Sequence, residues 1–273
     1  MTICIAAIGK AYDREVVVMA TDHMITTGVG QFEHAIVKYR PIRENIIAML
    51  AGQALMFNEL VCLDGEESDG TDMKKELCKI KPAEPEGIQS FEAIKKRINE
   101  NFKAKRKRII QAEILDTYGL SWAQLQDMLQ KPIPNVFVNT ILDRTSRFTL
   151  GTELLIVGLE NGVAKLACVS EFTAVDYRDF NFHAIGSGAT QAVNTLLFQK
   201  HSKDDSLEST IYDVYKAKKN AEVSPGVGRE TDLLVLGSAG LKKLTDEDMT
   251  SSQRPKGRGI PLNAFAAGRC AAR

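Results

Sequence analysis

Two short runs near the start, residues 3–8 and 16–20, are apolar at successive positions. Neighbouring residues of a strand point to opposite faces, so a strand wetted on one face alternates apolar with polar side chains. Runs that are apolar throughout and rich in Val and Ile belong in a sheet covered on both sides. The polar stretch 9–15 between them contains Gly9 and has turn chemistry. Together they predict a hairpin inside a layered structure.

The rest of the pattern adds the layers. Residues 36–39 and 45–50 predict a second strand pair, turned at 41–44, and residues 53–62 a helix start. Residues 63–87 are acidic, with glycines and two prolines, and read as a solvated loop. Ser90 is a candidate N-cap for a helix over 90–118, with Ile94, Ile98, Phe102, Ile109, Ile110 and Leu115 at near-helical spacing. A shorter helix over 121–129 stops before Pro132 and Pro134. Strands return at 154–157, 163–169 and 173–175, the first two joined through Asn161-Gly162, the preferred pair for a type I′ turn. Residues 189–198 and 207–222 predict helices, and 231–237 a buried strand. This order favours an α+β fold over a doubly wound α/β fold. We read one domain over 2–249 with a helical insert at about 63–149, and a mobile tail at 250–273 that is rich in Ser, Arg, Lys, Gly and Ala.

Lys+Arg and Asp+Glu both number 35, so no net charge draws the chain to nucleic acid or an anionic membrane. The longest apolar stretch, residues 46–57, is too short to span a bilayer and contains Gly52 and Gln53. The start has no basic segment and no small-residue cleavage site, so a cytoplasmic protein is expected. Cys4, Cys62, Cys78, Cys168 and Cys270 are odd in number and never form a C-x-x-C pair, which fits a reduced compartment with Cys4 and Cys168 as buried small hydrophobes. His23, His34, His183 and His201 lack metal-ligand spacing, and no metal or other cofactor is expected.

Thr2 is the sharpest chemical feature. Removal of Met1, which a small second residue permits, would leave a threonine carrying a nucleophilic hydroxyl beside its own α-amine. That amine titrates near ~8 and can serve as the base that a hydroxyl needs. Asp22 ends the apolar run 16–20, and Lys38 falls in the next predicted strand. A charge at the end of a buried strand is costly unless paired. An Asp–Lys pair beside the leading amine would lower that amine's pKa and free the base.

The segments from residue 16 to Asp22, through Thr26-Thr27-Gly28 and Lys38, to Ala51-Gly52 resemble proteasome β-type subunits and the bacterial HslV peptidase, which are N-terminal nucleophile hydrolases. Residues 153–158, the turn Gly186-Ser187-Gly188 with Ala192 after it, and residues 217–236 are similar to the same family. The resemblance implies a four-layer αββα sandwich of two antiparallel sheets between helical layers. It implies Thr2 as nucleophile, Asp22 and Lys38 as its partners, Ser187 near the amine, and the Gly52 N–H as oxyanion donor. Thr26 would pair with an extended substrate, and Ile25, Ile36 and Leu50 would line an apolar specificity pocket. The substrate would be a peptide or unfolded protein. Self-assembly into a homo-oligomer and an ATPase or other regulatory partner are implied in the same way.

Three stretches depart from the family's pattern. The loop 9–15 is a few residues longer, and the hairpin must absorb it for Thr2 to reach Asp22 and Lys38. Near residues 221–228, Glu222 stands for an Asp or Ser224 for a Ser, but the spacing does not allow both. The insert carries Lys103, Lys105, Arg106, Lys107 and Arg108, a solvated face or a docking surface; with Phe102 and Trp122 as its few aromatics, nucleic acid is not favoured. Two other functions are open to such a chain: an amidase or transpeptidase using the same nucleophile, and a non-catalytic proteasome-like subunit.

Overall fold

The expected hairpin forms and absorbs its long loop. A computed structural model of the chain describes residues 2–27, 30–34, 37–63, 90–130 and 136–245. Strand β1 (Ile3–Ala11) runs on into β2 (Arg14–Asp22), and the ladder continues through Gly9↔Val16, Lys10↔Glu15 and Ala11↔Arg14. Only Tyr12 and Asp13 remain for the turn, with Tyr12 at φ +55°. The extra residues therefore lengthen both strands away from Thr2, and the register beside Asp22 is kept.

Among the described residues the fold is α+β, with three antiparallel sheets and six α-helices. The first sheet has the order β10 (Phe182–Gly186), β1, β2, β11 (Thr231–Gly237), β12 (Gly240–Lys243). The second has the order β5 (Tyr39–Arg43), β6 (Ile46–Ala51), β7 (Glu153–Glu160), β8 (Val163–Val169), β9 (Ala174–Asp176). A two-stranded ribbon, β3 (Met24–Thr27) with β4 (Gly30–Glu33), follows β2 directly. In the β7–β8 turn both Asn161 (φ +53°) and Gly162 (φ +77°) are left-handed, as a type I′ turn requires.

In β1, β2, β6, β7, β8 and β11 the two faces enter different cores, which is why the long runs are apolar throughout. Ala6, Ile8, Val17 and Met19 of the first sheet pack against Ile47, Met49, Leu155 and Val157 of the second. On the other side of the first sheet, Ile5, Val18 and Leu233 meet α5 (Ala189–Phe198) and α6 (Leu207–Ala221) through Leu196, Ile211 and Val214. On the other side of the second sheet, Ala48, Leu154 and Ile156 meet α1 (Phe57–Leu60) and α2 (Phe91–Ile110) through Phe57, Phe91, Ile94 and Phe102. This arrangement is compatible with a sandwich.

The region read as an insert contributes to that core. Ser90 caps α2 by accepting the Ala93 N–H, and the first turns of α2 form the apolar cover of the second sheet. Gln111–Leu115 widens into a π turn, and Gly119 (φ +66°) ends the run. A capping box on Ser121 starts α3 (Trp122–Leu129), which joins α4 (Val136–Arg147) in a separate cluster around Ile110, Leu115, Leu125 and Ile141. Phe102 is fully buried. Phe102→Ala is expected to cost about 3–5 kcal/mol in urea unfolding, from lost contacts and a residual cavity.

Several expectations are corrected. The second strand pair turns at Glu44-Asn45, not at 41–44, and Lys38 lies just ahead of β5 rather than inside a strand. Pro41 sits within β5, which is tolerated because β5 is an edge strand. Helix α4 and strands β10 and β12 were not expected. Cys4 is buried as expected, but Cys168 is only partly so. All but the first residue of the stretch 63–87 read as a loop, Pro132, Pro134 and the stretch 250–273 read as a tail lie outside the described residues. Among the described residues no helix is long and apolar enough to cross a membrane.

Candidate active site

The ends of two buried strands and the residue before a third bring three side chains together. Thr2 precedes β1, Asp22 ends β2, and Lys38 precedes β5. Thr2 and Asp22 are 3% and 0% exposed, and Lys38 is 8% exposed. The Thr2 hydroxyl donates to Asp22 Oδ1, and Lys38 Nζ donates to Thr2 Oγ1. Lys38 Nζ also donates to Asp22 Oδ1 at 2.7 Å and to the Met24 carbonyl at 2.6 Å. An ammonium has three donors, and here all three are used.

Asp22 is held on both oxygens. Oδ1 also accepts the Ile3 N–H at 3.0 Å, while Oδ2 accepts the N–H groups of Gly228 at 2.8 Å and Met24 at 3.2 Å. Burial pushes its carboxyl up. The Lys38 charge and hydrogen bond, the Thr2 hydroxyl and the Gly228 N–H outweigh burial and hold it below the ordinary carboxylate range.

The site opens into a cavity of about 430 Å³, lined by Thr2, Ala51, Gly52, Gly186 and Ser187 together with residues 149, 151–153 and 170–172. Gly186 (φ +98°) brings β10 so close that a Cβ there would lie 2.3 Å from the Thr2 carbonyl oxygen. Ser187 Oγ donates to that same oxygen at 3.3 Å, so Ser187 touches the Thr2 backbone rather than its side chain. Gly52 (φ +120°) follows β6, with Gly151 O only 2.3 Å from where its Cβ would be. The Gln53 N–H donates to Thr152 Oγ1 at 3.2 Å and pins this turn to the residues just before β7.

Five expected residues fall elsewhere. Leu50 does not line the cavity: it points into the core under α1 and α2, because a strand alternates faces and Met49 takes the other. Ile25 and Thr26 lie on β3 outside the cavity lining, paired with Phe32 and Gln31, and no described strand pairs with β3's other edge. Glu222 accepts from Lys218 and Lys219, and Ser224 lies in the turn after α6; neither bonds to Thr2, Asp22 or Lys38. Ile36 lies outside the described residues. The wall instead includes Thr149, Thr152, Glu153, Ser170 and Glu171, so it is more polar than expected. Glu171 accepts from Thr149 Oγ1 at 2.6 Å and the Leu150 N–H at 2.8 Å, which fixes that wall.

The basic run is largely committed to structure. Lys105 and Arg108 pair with Glu59, and Arg106 donates to the carbonyls of Thr145 and Phe148. Among the described residues, one group has the donor atoms for a cation: His201, Asp205 and Asp213, with ligand-type atoms all within 4.8 Å of one another. There His201 Nε2 reaches the Ile8 carbonyl and Nδ1 faces Asp213, away from the Thr2 cavity.

No protein-family model matches the chain, and no curated protein matches it.

Proposed function

We propose that this chain is a threonine peptidase of the N-terminal nucleophile type, folded as an αββα sandwich and active once Met1 is removed. The observation that carries this reading is the buried contact of the Thr2 hydroxyl with both the Asp22 carboxylate and the Lys38 ammonium at the floor of a cavity. These residues lie 20 and 36 positions from Thr2 in the chain, so the fold has to bring them there.

In this mechanism the freed α-amine of Thr2 takes the hydroxyl proton as Oγ1 attacks the substrate carbonyl carbon. The Gly52 N–H stabilises the oxyanion, and Lys38 stabilises negative charge developing on Oγ1. The C–N bond breaks as the proton passes to the leaving amine, which leaves an ester on Thr2. A water molecule, deprotonated by the same amine, then releases the acid and restores the hydroxyl. Ser187, beside the Thr2 backbone, orients the amine. An extended peptide or unfolded protein adds as a strand at the edge of β3 that no described strand pairs with, through Thr26. Assembly into a homo-oligomer and service to an ATPase belong to the same reading.

The test is intact mass after treatment with an epoxyketone or β-lactone. Wild type is expected to lack Met1 and to gain one probe. Thr2→Ser is expected to retain labelling, and Thr2→Ala to gain none. Retention of Met1 in wild type, or equal labelling of Thr2→Ala, would overturn the proposal.

A further inference from the structure

Lys218 belongs to the apolar side of α6, yet it is 0% exposed. A buried ammonium is costly unless all its donors find partners. Here Nζ donates to Glu222 Oε1 at 2.6 Å and to the carbonyls of Gly228 and Arg229, both at 2.8 Å. Two of its three donors are spent on consecutive carbonyls of one loop, the segment between α6 and β11. That loop is the one whose Gly228 N–H donates to Asp22 Oδ2.

The same segment is gripped from its other side. Glu33, at the end of β4, accepts the N–H groups of Arg229 and Glu230. There is no slack at the contact: a Cβ on Gly228 would lie 2.6 Å from Glu33 Oε1 and 3.1 Å from Met24 N. Gly226 (φ +77°) turns the chain into this position, and Lys218 holds it there by its carbonyls. Asp22 uses Oδ1 for Thr2, Ile3 and Lys38, and Oδ2 is held by two N–H groups, Met24 at 3.2 Å from its own neighbourhood in the chain and Gly228 at 2.8 Å from this loop.

We infer that Lys218 is a positioning residue for the Thr2 site: it clamps the Gly228–Arg229 carbonyls so that the Gly228 N–H locks the Asp22 carboxylate toward Thr2 and Lys38. The inference rests on the threonine-peptidase reading for its effect on rate, but the clamp itself is read without catalysis. A lysine that only anchored the end of α6 would alter stability and leave Asp22 and the reaction rate alone.

The test uses the full chain carrying Lys218→Met, which keeps the reach and removes the donors. The first readout is the Gly228 amide in glycine-labelled ¹H–¹⁵N spectra. In wild type it is expected far downfield and protected from exchange, as a donor to a carboxylate. In the folded variant it is expected to move upfield and exchange faster. The second readout is labelling by a β-lactone: the maximal rate is expected to fall about tenfold, with the half-saturating concentration within about twofold, the signature of a lost reaction-specific interaction. If Lys218→Met does not fold, Lys218→Gln, which keeps one donor group for the carbonyls, is read in the same way. A folded variant with an unmoved Gly228 amide or a wild-type labelling rate overturns the inference, and so does an unprotected Gly228 amide in wild type. Failure of wild type to label at all strikes the peptidase reading instead, and the amide still decides the clamp.

Discussion

Lys38→Met is expected to slow labelling of Thr2 by about 10³-fold or more and to destabilise the fold by about 3–5 kcal/mol at neutral pH. Both effects have one cause. The methionine fills similar space but leaves the buried Asp22 carboxylate without its ammonium, and breaking one half of a buried pair exposes the full desolvation cost of the other. The Thr2 hydroxyl keeps a carboxylate as neighbour and loses the cation that would stabilise it as an alkoxide. Two experiments separate these effects. Adding Asp22→Asn removes the orphaned charge, so the double variant is expected to recover much of the stability and none of the labelling. The pH dependence of urea unfolding gives the second. In wild type the folded Asp22 carboxyl is held below its unfolded value of about 4. Its contribution to stability is therefore complete above about pH 4 and is lost as pH falls through the folded value. The gap between wild type and Lys38→Met is expected to narrow below that pH, as both carboxyls become protonated. A variant as stable as wild type at pH 7, labelling at the same rate, would remove the pair from both roles.

Asp22 was legible in the sequence because it breaks an otherwise apolar pattern, whereas Lys38, just ahead of β5 and beside an exposed Val37, breaks none. Asp22 closes a run buried on both faces, and a carboxylate there demands a cation and N–H donors. The hairpin was legible for the same reason, although its turn was not: residues 9–15 look like a loop by composition, and only pairing along the ladder extends the strands through them. Helix α4 was hidden because its buried residues are few, Val138 and Ile141, while Val136 and Phe137 are exposed. The polar wall of the cavity could not be read at all. It comes from two stretches about twenty residues apart joined by Glu171, and a carboxylate that accepts a backbone N–H there looks in sequence like any surface glutamate. Leu50 was misplaced by one step of the strand period, which sends it to the helical side while Ala51 and Gly52 reach the cavity. Lys218 was passed over because a lysine on a helix normally ends in water, and its burial follows only from where the loop after α6 folds back.

Gly186→Ala is expected to cost about 1–3 kcal/mol and to lower the labelling rate by about 100-fold or more. Gly186 has a φ of +98°, a region that L side chains rarely adopt, so the substitution is strained before any contact is considered. The new Cβ would also lie 2.3 Å from the Thr2 carbonyl oxygen and 2.9 Å from its carbon. Those are backbone atoms, so a rotamer change cannot relieve the clash. Gly186 faces Ile3 in the β1–β10 ladder, and Ile3 itself donates to Asp22, so relief must come from the chain just before Ile3. That movement carries Thr2 Oγ1 away from Asp22 and Lys38, and a shift of about 1 Å is enough to cost 100-fold when reacting groups must be aligned. Gly162→Ala supplies the contrast: its φ is +77°, but no atom lies within 4 Å of the new Cβ, and it sits in the β7–β8 turn outside the cavity lining. It is expected to show the backbone penalty alone, about 1 kcal/mol, with labelling unchanged. Urea unfolding and the rate of β-lactone labelling measure the two variants side by side. If Gly186→Ala labels as fast as Gly162→Ala, the close approach of β10 to Thr2 does not set the position of the nucleophile.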